Sequence, residues 1–135
     1  SYTVRINGNR GWFADVEVDG ESALEIAIDK NLLSIIPFLL QKGANPYSFR
    51  KTINKSNNFV RNITAICIAI EKNNLDLLQI FFENGFAFNE VCFNTFQYLC
   101  SDKKNFTPLQ FTLVFYRERT DILNFFISTG AALDN

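Results

Sequence analysis

The chain has 135 residues, a length typical of one domain that can bury a substantial core. Hydrophobic residues make up 47% and charged residues 20%, which excludes a disordered chain. The formal net charge of −1 gives no overall attraction to nucleic acid, and no apolar run approaches the roughly 18 residues of a membrane span. We therefore expect a folded domain with no nucleic-acid partner and no membrane insertion.

Residues 1–18 have the pattern of two short strands. Tyr2, Val4 and Ile6 alternate with polar residues, and the apolar residues from Trp12 to Val18 alternate in the same way. The segment Asn7–Gly11 between them is rich in turn-forming residues. This pattern predicts a β-hairpin that caps the rest of the chain, with the remnant of a preceding repeat as the alternative.

The next stretch, Ser22–Gly43, predicts a helix, a polar break, a second helix and a glycine stop, and it recurs. A second copy, Thr64–Gly85, begins 42 residues later and aligns without a gap. A third copy, Thr107–Gly130, carries two extra residues near Tyr116–Arg119. Each first helix has about seven to nine residues, too few to be stable alone, so neighbouring copies are expected to cover one another.

Local signals mark where these helices begin and end. Glu25 and Gln110 stand where they complete capping boxes. Asn31 and Asn73 tolerate the left-handed backbone expected after each first helix. Ser, Thr and Gly residues stand at the predicted N-caps and at the ends of the second helices: Ser22, Thr64, Thr107, Gly43, Gly85 and Gly130.

The copies resemble the ankyrin repeat in their Thr-Pro-Leu start at Thr107–Leu109, the Ala pair position at Ala27-Ile28, and the ending Gly43-Ala44-Asn45. The resemblance covers residues 19–134 and implies an all-α solenoid of three helix-turn-helix repeats with a small N-terminal β-hairpin. The repeats would span about 19–46, 62–89 and 105–134. The histidine of the ankyrin Thr-Pro-Leu-His helix start is missing from each copy. The repeat period is also longer than in the ankyrin family because of two inserts, 47–61 and 90–104.

The first insert carries four cations and no carboxylate, with aromatic residues interleaved. This mixture suits an acidic, partly apolar segment of a protein partner, because Arg binds carboxylates and aromatic residues supply contact area. The alternative is that Phe49, Ile53 and Phe59 fold back over the helices. The candidate partner-binding residues of this insert are Tyr47, Phe49, Arg50, Lys51, Lys55, Phe59 and Arg61.

The second insert is more apolar. Phe93, Phe96, Gln97 and Cys100 are spaced three and four residues apart, which predicts a short helix lying over the second repeat. Tyr98 is its candidate contact residue. The ankyrin resemblance adds three further candidates near the concave side: Lys72, Tyr116 and Arg117.

The sequence offers no catalytic constellation. His is absent, and the three cysteines are scattered without Cys-x-x-Cys spacing, so neither a nucleophile–His pair nor a usual zinc site is available. The glycines stand singly, which gives no phosphate-binding loop. We expect no enzyme activity, no cofactor and no metal, and the cysteine pattern indicates a reducing, cytoplasmic setting.

The expected function is non-catalytic protein–protein recognition through the finger loops and the concave face. The alternative is a regulatory or targeting segment of a larger enzyme or channel whose active part lies outside this chain. A third possibility, which the ankyrin resemblance implies, is that Asn89 is a site of hydroxylation. The last copy is as apolar as the middle one, so a further repeat, another domain or a second copy is expected to cover the C-terminal end.

Overall fold

The computed structural model describes residues 2–7, 13–18, 22–97 and 102–131. Within these ranges the chain forms six strands and six helices. In chain order they are β1 (Tyr2–Asn7), β2 (Phe13–Val18), α1 (Ala23–Asp29), α2 (Ile36–Gln41), β3 (Arg50–Asn54), β4 (Phe59–Ile63), α3 (Ala65–Glu71), α4 (Leu75–Glu83), β5 (Phe93–Gln97), β6 (Lys104–Phe106), α5 (Pro108–Phe115) and α6 (Thr120–Ser128).

The elements form three units, each of which is a pair of strands followed by a pair of helices. The strands join into one antiparallel sheet in chain order from β1 to β6. Consecutive units meet in this sheet where β2 pairs with β3, with Val18 opposite Thr52, and where β4 pairs with β5, with Ile63 opposite Phe93. The helices form a second layer in which α1, α3 and α5 lie side by side, and α2 packs beside α4.

The predicted all-α class is wrong, because the chain is a mixed α/β protein with a six-stranded sheet. The inserts 47–61 and 90–104, which the repeat alignment set aside, contain strand β3, the first three residues of β4, strand β5 and the first residue of β6. The short helix expected around Phe93 and Phe96 is also wrong, since both residues lie on β5. Phe93 and Asn94 are neighbours yet both are buried, so the strand shows no polar–apolar alternation in the sequence.

The two N-terminal strands lie where the alternation predicts them and pair with Tyr2 opposite Val18. The predicted turn, Asn7–Gly11, falls outside the described residues except for Asn7, which ends β1. The hairpin is not a separate cap, because β2 continues into the common sheet through its pairing with β3.

Most of the local helix signals act as predicted. The Ser22 hydroxyl accepts a hydrogen bond from the Glu25 backbone N–H at 3.2 Å, and Thr107 forms a capping box with Gln110. Asn31 and Asn73 adopt φ values of 56° and 55°, in the left-handed region. Thr64 differs from the prediction: its hydroxyl donates to the Cys92 carbonyl oxygen at 2.8 Å instead of capping α3.

The core lies between the two layers and between neighbouring helix pairs. Helix α3 is central, because α1 and α5 cover it on either side and β4 packs against it. Four of its side chains are fully buried: Ile66, Cys67, Ala69 and Ile70. An aromatic cluster extends the core toward the end of the chain, where Phe93 packs on Phe111 with ring centroids 4.9 Å apart.

Candidate partner-binding cleft

The sheet has one face toward the helices and one face away from them. Side chains at paired positions on neighbouring strands share a face, and Arg50, Ile63 and Phe93 form one such row. Arg50 contacts Glu25 of α1, and Phe93 contacts Phe111 of α5, so this row faces the helix layer. The next row along, Lys51, Asn62 and Asn94, faces the opposite way.

A cleft of about 240 Å³ lies where the helix-facing side of the sheet meets the first helices. Strands β3 and β4 form one wall, and helices α1 and α3 form the other. Its lining combines a cation, three carboxylates and two aliphatic side chains: Arg50, Glu25, Asp29, Glu71, Ile63 and Ile68.

Two ion pairs join the walls of this cleft, and they differ in strength. Arg50 Nη1 lies 2.8 Å from Glu25 Oε2, and the two side chains are 17% and 13% exposed. Arg61 Nη2 lies 3.4 Å from Glu71 Oε1, and those side chains are 51% and 34% exposed. The first is a short, largely buried ion pair that joins the sheet to α1. The second is a longer, solvated contact that contributes little energy.

Arg61 also stacks on the aromatic cluster. Its guanidinium carbon lies 5.3 Å from the centroid of the Phe93 ring, within the range of a cation–π contact. This contact keeps the Arg61 side chain along the helix-facing side of the sheet while leaving half of it exposed.

Tyr116 and Arg119 follow helix α5 and lie near Glu71, which lines the cleft. Arg119 Nη2 donates to the backbone carbonyl oxygen of Glu71 at 3.2 Å, and its guanidinium lies 4.8 Å from the Tyr116 ring centroid. Burial, together with the nearby Glu71 carboxylate, raises the pKa of Tyr116, so its phenol is neutral at pH 7. Arg119 was not a sequence candidate; its distance in sequence from Glu71 gave no signal of this contact.

The structure divides the candidates of the first insert into different settings. Phe49 and Phe59 are 47% and 42% exposed, so neither folds fully into the core, while Ile53 is half-buried. Lys55 is exposed in the turn between β3 and β4. Lys51 is exposed on the sheet face opposite to Arg50, so these adjacent cations do not act on one surface.

Tyr47 has a structural position. Its side chain is buried, and its hydroxyl donates to the Ala87 carbonyl oxygen at 2.6 Å. Burial raises the pKa of Tyr47 well above its ordinary value, and the nearby Cys92 thiol acts in the same direction. Tyr47 therefore joins the first unit to the second instead of standing on a contact surface.

The remaining candidates lie apart from one another. Lys72 is exposed at the end of α3, and Arg117 is exposed beside the half-buried Tyr116. Tyr98 lies outside the described residues. Of the predicted set, Arg50 lines the cleft, while Arg61 contacts the lining residue Glu71 and Tyr116 lies near it.

The buried thiols of Cys67 and Cys92 lie close together, with 3.8 Å between their sulfur atoms. Burial raises the pKa of Cys92 well above its ordinary value, and its hydrogen bond with Cys67 adds to this effect. A neutral, buried thiol is a poor nucleophile. In the described part of the chain, no three His, Cys, Asp or Glu side chains gather as a metal site.

The fold and the cleft define a mixed α/β protein built from three ββαα units. Comparisons with protein families, with curated proteins and with solved structures give no match. Together with the six-stranded sheet, this result overturns the ankyrin-repeat resemblance and the all-α solenoid that it implied. Among the described residues, no helix is long and apolar enough to cross a membrane.

Proposed function

We propose that this chain is a non-catalytic protein-interaction module that receives an extended segment of a partner protein along the helix-facing side of β4, beside the cleft between sheet and helices. The observation that carries this proposal is the placement of Phe59 and Arg61 on β4. They stand two residues apart, so both side chains project from the helix-facing side of the sheet, about 7 Å from each other. Both are more than 40% exposed.

Arg61 can release Glu71 and bind a carboxylate of the partner protein instead. Its contact with Glu71 is long at 3.4 Å and half-exposed, so the cost of releasing it is small. An incoming carboxylate can form two parallel hydrogen bonds with the guanidinium, a stronger arrangement than the existing contact. The partner segment is therefore expected to carry Asp or Glu.

Phe59 supplies the second element of recognition. An exposed aromatic ring gains free energy when a partner covers it, and aromatic and Arg side chains dominate protein interfaces. With its spacing from Arg61, it favours a segment in which an apolar residue and an acidic residue alternate along an extended chain. Arg50 is not proposed as a contact residue, because its guanidinium is held by Glu25.

A photo-crosslinking experiment tests this proposal. A benzoylphenylalanine in place of Phe59 should form adducts with a discrete set of proteins from a native lysate, and mass spectrometry should map them to acidic, partly apolar segments. A synthetic peptide of the mapped segment should then bind the purified chain. Arg61→Glu should weaken this binding at least tenfold, about 1.4 kcal/mol, while Lys42→Glu, an exposed charge reversal at the end of α2, should not change it.

Two results would reject this part of β4 as the binding site. One is equal peptide binding by wild type and Arg61→Glu. The other is the same adduct pattern when the photo-crosslinker replaces Gln79, which is exposed on α4. Far-ultraviolet circular dichroism of each variant establishes that the fold is retained.

A further inference from the structure

The three units use equivalent positions where they pack against the following unit. Ile28 of α1 and Ile70 of α3 are 3% and 0% exposed, because the next helix pair covers them. Leu113 is the equivalent residue of α5 and is 49% exposed. In the second helices, Phe82 of α4 contacts Phe125 of α6, and its equivalent Ile127 is 56% exposed.

The opposite side of each unit shows the complementary pattern. Leu77 of α4 and Ile122 of α6 are fully buried, whereas the equivalent Ile35 of the first unit is 44% exposed. Phe125 packs against the preceding unit, with its ring 6.2 Å from that of Phe82. Its equivalent in the first unit, Phe38, is 67% exposed.

We call these two surfaces the leading face, which comprises Ile35 and Phe38, and the trailing face, which comprises Leu113 and Ile127. They are the two halves of a junction that the chain already forms twice internally. Both halves are apolar, and both are exposed on the same molecule.

The strand directions at the two edges of the sheet also fit such a junction. β1 and β6 are the outer strands, and every neighbouring pair in the sheet is antiparallel. β1 therefore runs in the same direction as β3 and β5. A β1 strand from a second molecule, placed beside β6 in the orientation of an internal junction, would run antiparallel to β6, as β3 does to β2.

We infer that a second copy of this chain docks head to tail, with its leading face on the trailing face of the first. A second copy fits because its leading face matches the exposed trailing face of the first, and its β1 strand matches the exposed β6 edge. A partner that covered one end would leave the other exposed. The contact is heterologous, so it leaves a free face at each end and extends with concentration unless a ring closes.

Sedimentation equilibrium on the whole chain tests this inference. The weight-average mass of wild type should rise from that of a monomer to more than twice that value between about 1 μM and about 1 mM. Phe38→Asp removes the leading face and Leu113→Asp removes the trailing face. Each variant alone should associate at least tenfold more weakly, whereas Gln79→Asp, on an exposed side of α4, should behave as wild type.

Mixing the two variants gives the decisive result. Phe38→Asp keeps an intact trailing face and Leu113→Asp keeps an intact leading face, so an equimolar mixture should form a dimer and stop there. If either variant is unfolded by circular dichroism, Ile35→Asp and Ile127→Asp provide the same test.

A wild type that remains monomeric over the whole concentration range would overturn the inference. So would a variant mixture that stays monomeric, or association that persists in either single variant, since that result indicates a symmetric contact through one face. Arg61→Glu should associate as wild type does. Failure of this inference can therefore be distinguished from failure of the proposed partner-binding site.

Discussion

Arg50 on β3 and Glu25 on α1 form an ion pair that joins the second hairpin to the first helix, with 2.8 Å between Nη1 and Oε2. Ser22 adds to this arrangement, because its hydroxyl donates to Glu25 Oε1 at 3.3 Å. The carboxylate therefore links the start of α1 to the sheet. This contact joins the second unit to the first, and both side chains line the cleft.

Removing Arg50 tests how much this ion pair contributes to the free energy of unfolding. Arg50→Ala leaves the largely buried Glu25 carboxylate without its cation, so the free energy of unfolding should fall by about 2 kcal/mol, between the values typical of surface and buried pairs. Urea denaturation measures this change. Lys51→Ala, one residue away on the exposed face, should change stability by less than about 0.5 kcal/mol. Equal effects would show that the ion pair contributes nothing of its own.

Tyr47 predicts a dependence of stability on alkaline pH. Its pKa is raised by burial, so the folded protein holds the phenolic proton more tightly than the unfolded chain does. The resulting stabilisation is fully present below the unfolded-state pKa of about 10 and is lost as the pH rises above it. The free energy of unfolding of wild type should therefore fall steeply above about pH 10.

Tyr47→Phe isolates this contribution. The variant leaves the Ala87 carbonyl without its donor, which should cost about 1 kcal/mol at pH 8, but its stability should fall less steeply above about pH 10. The raised pKa of Cys92 affects both proteins, so the difference between their pH profiles reports Tyr47. Tyr116→Phe should keep most of the alkaline loss. Parallel profiles for wild type and Tyr47→Phe would contradict the prediction.

Phe93 joins strand β5 to helix α5 through contacts between aromatic rings. It is 2% exposed, and its ring lies 5.7, 4.9 and 5.6 Å from those of Phe106, Phe111 and Phe115. Phe93→Ala should reduce the free energy of unfolding by about 3–4 kcal/mol, since it leaves a cavity in the aromatic cluster. Phe49→Ala, at an exposed ring, should cost less than about 1 kcal/mol in the same denaturation assay. A small loss for Phe93→Ala would place this segment outside the core.

The left-handed turn at Asn73 gives a test of backbone conformation. At φ 55°, Asn73→Gly removes no required side-chain packing and should leave stability within about 0.5 kcal/mol of wild type. Asn73→Ala places a side chain with no local hydrogen bond in the same region and should cost about 1 kcal/mol. Thermal unfolding of the two variants compares them directly. An alanine variant as stable as the glycine variant would indicate that the turn relaxes.

The sequence predicted the helices well because their signals are local. The capping box of Thr107 and Gln110 joins residues three apart, and the left-handed turns at Asn31 and Asn73 depend on single residues. The N-terminal strands were also predicted, since their alternation is complete within six residues each. Such signals act between residues close in sequence, so they can be recognised without knowing which distant segments pack against them.

Tertiary structure alone decided the rest. Although β3 and β4 form a local hairpin, β3 also pairs with β2 and β4 pairs with β5, which lie far away in sequence. The buried neighbours Phe93 and Asn94 show no polar–apolar alternation. The same pairing sends Lys51 to one face and Arg50 to the other, and it draws Thr64 to Cys92 instead of to its own helix. The cleft is likewise a product of two layers, because Arg50 meets Glu25, and Arg119 meets Glu71, only when sheet and helices have assembled. Function as a binding module stays a prediction, to be tested at Phe59 and Arg61.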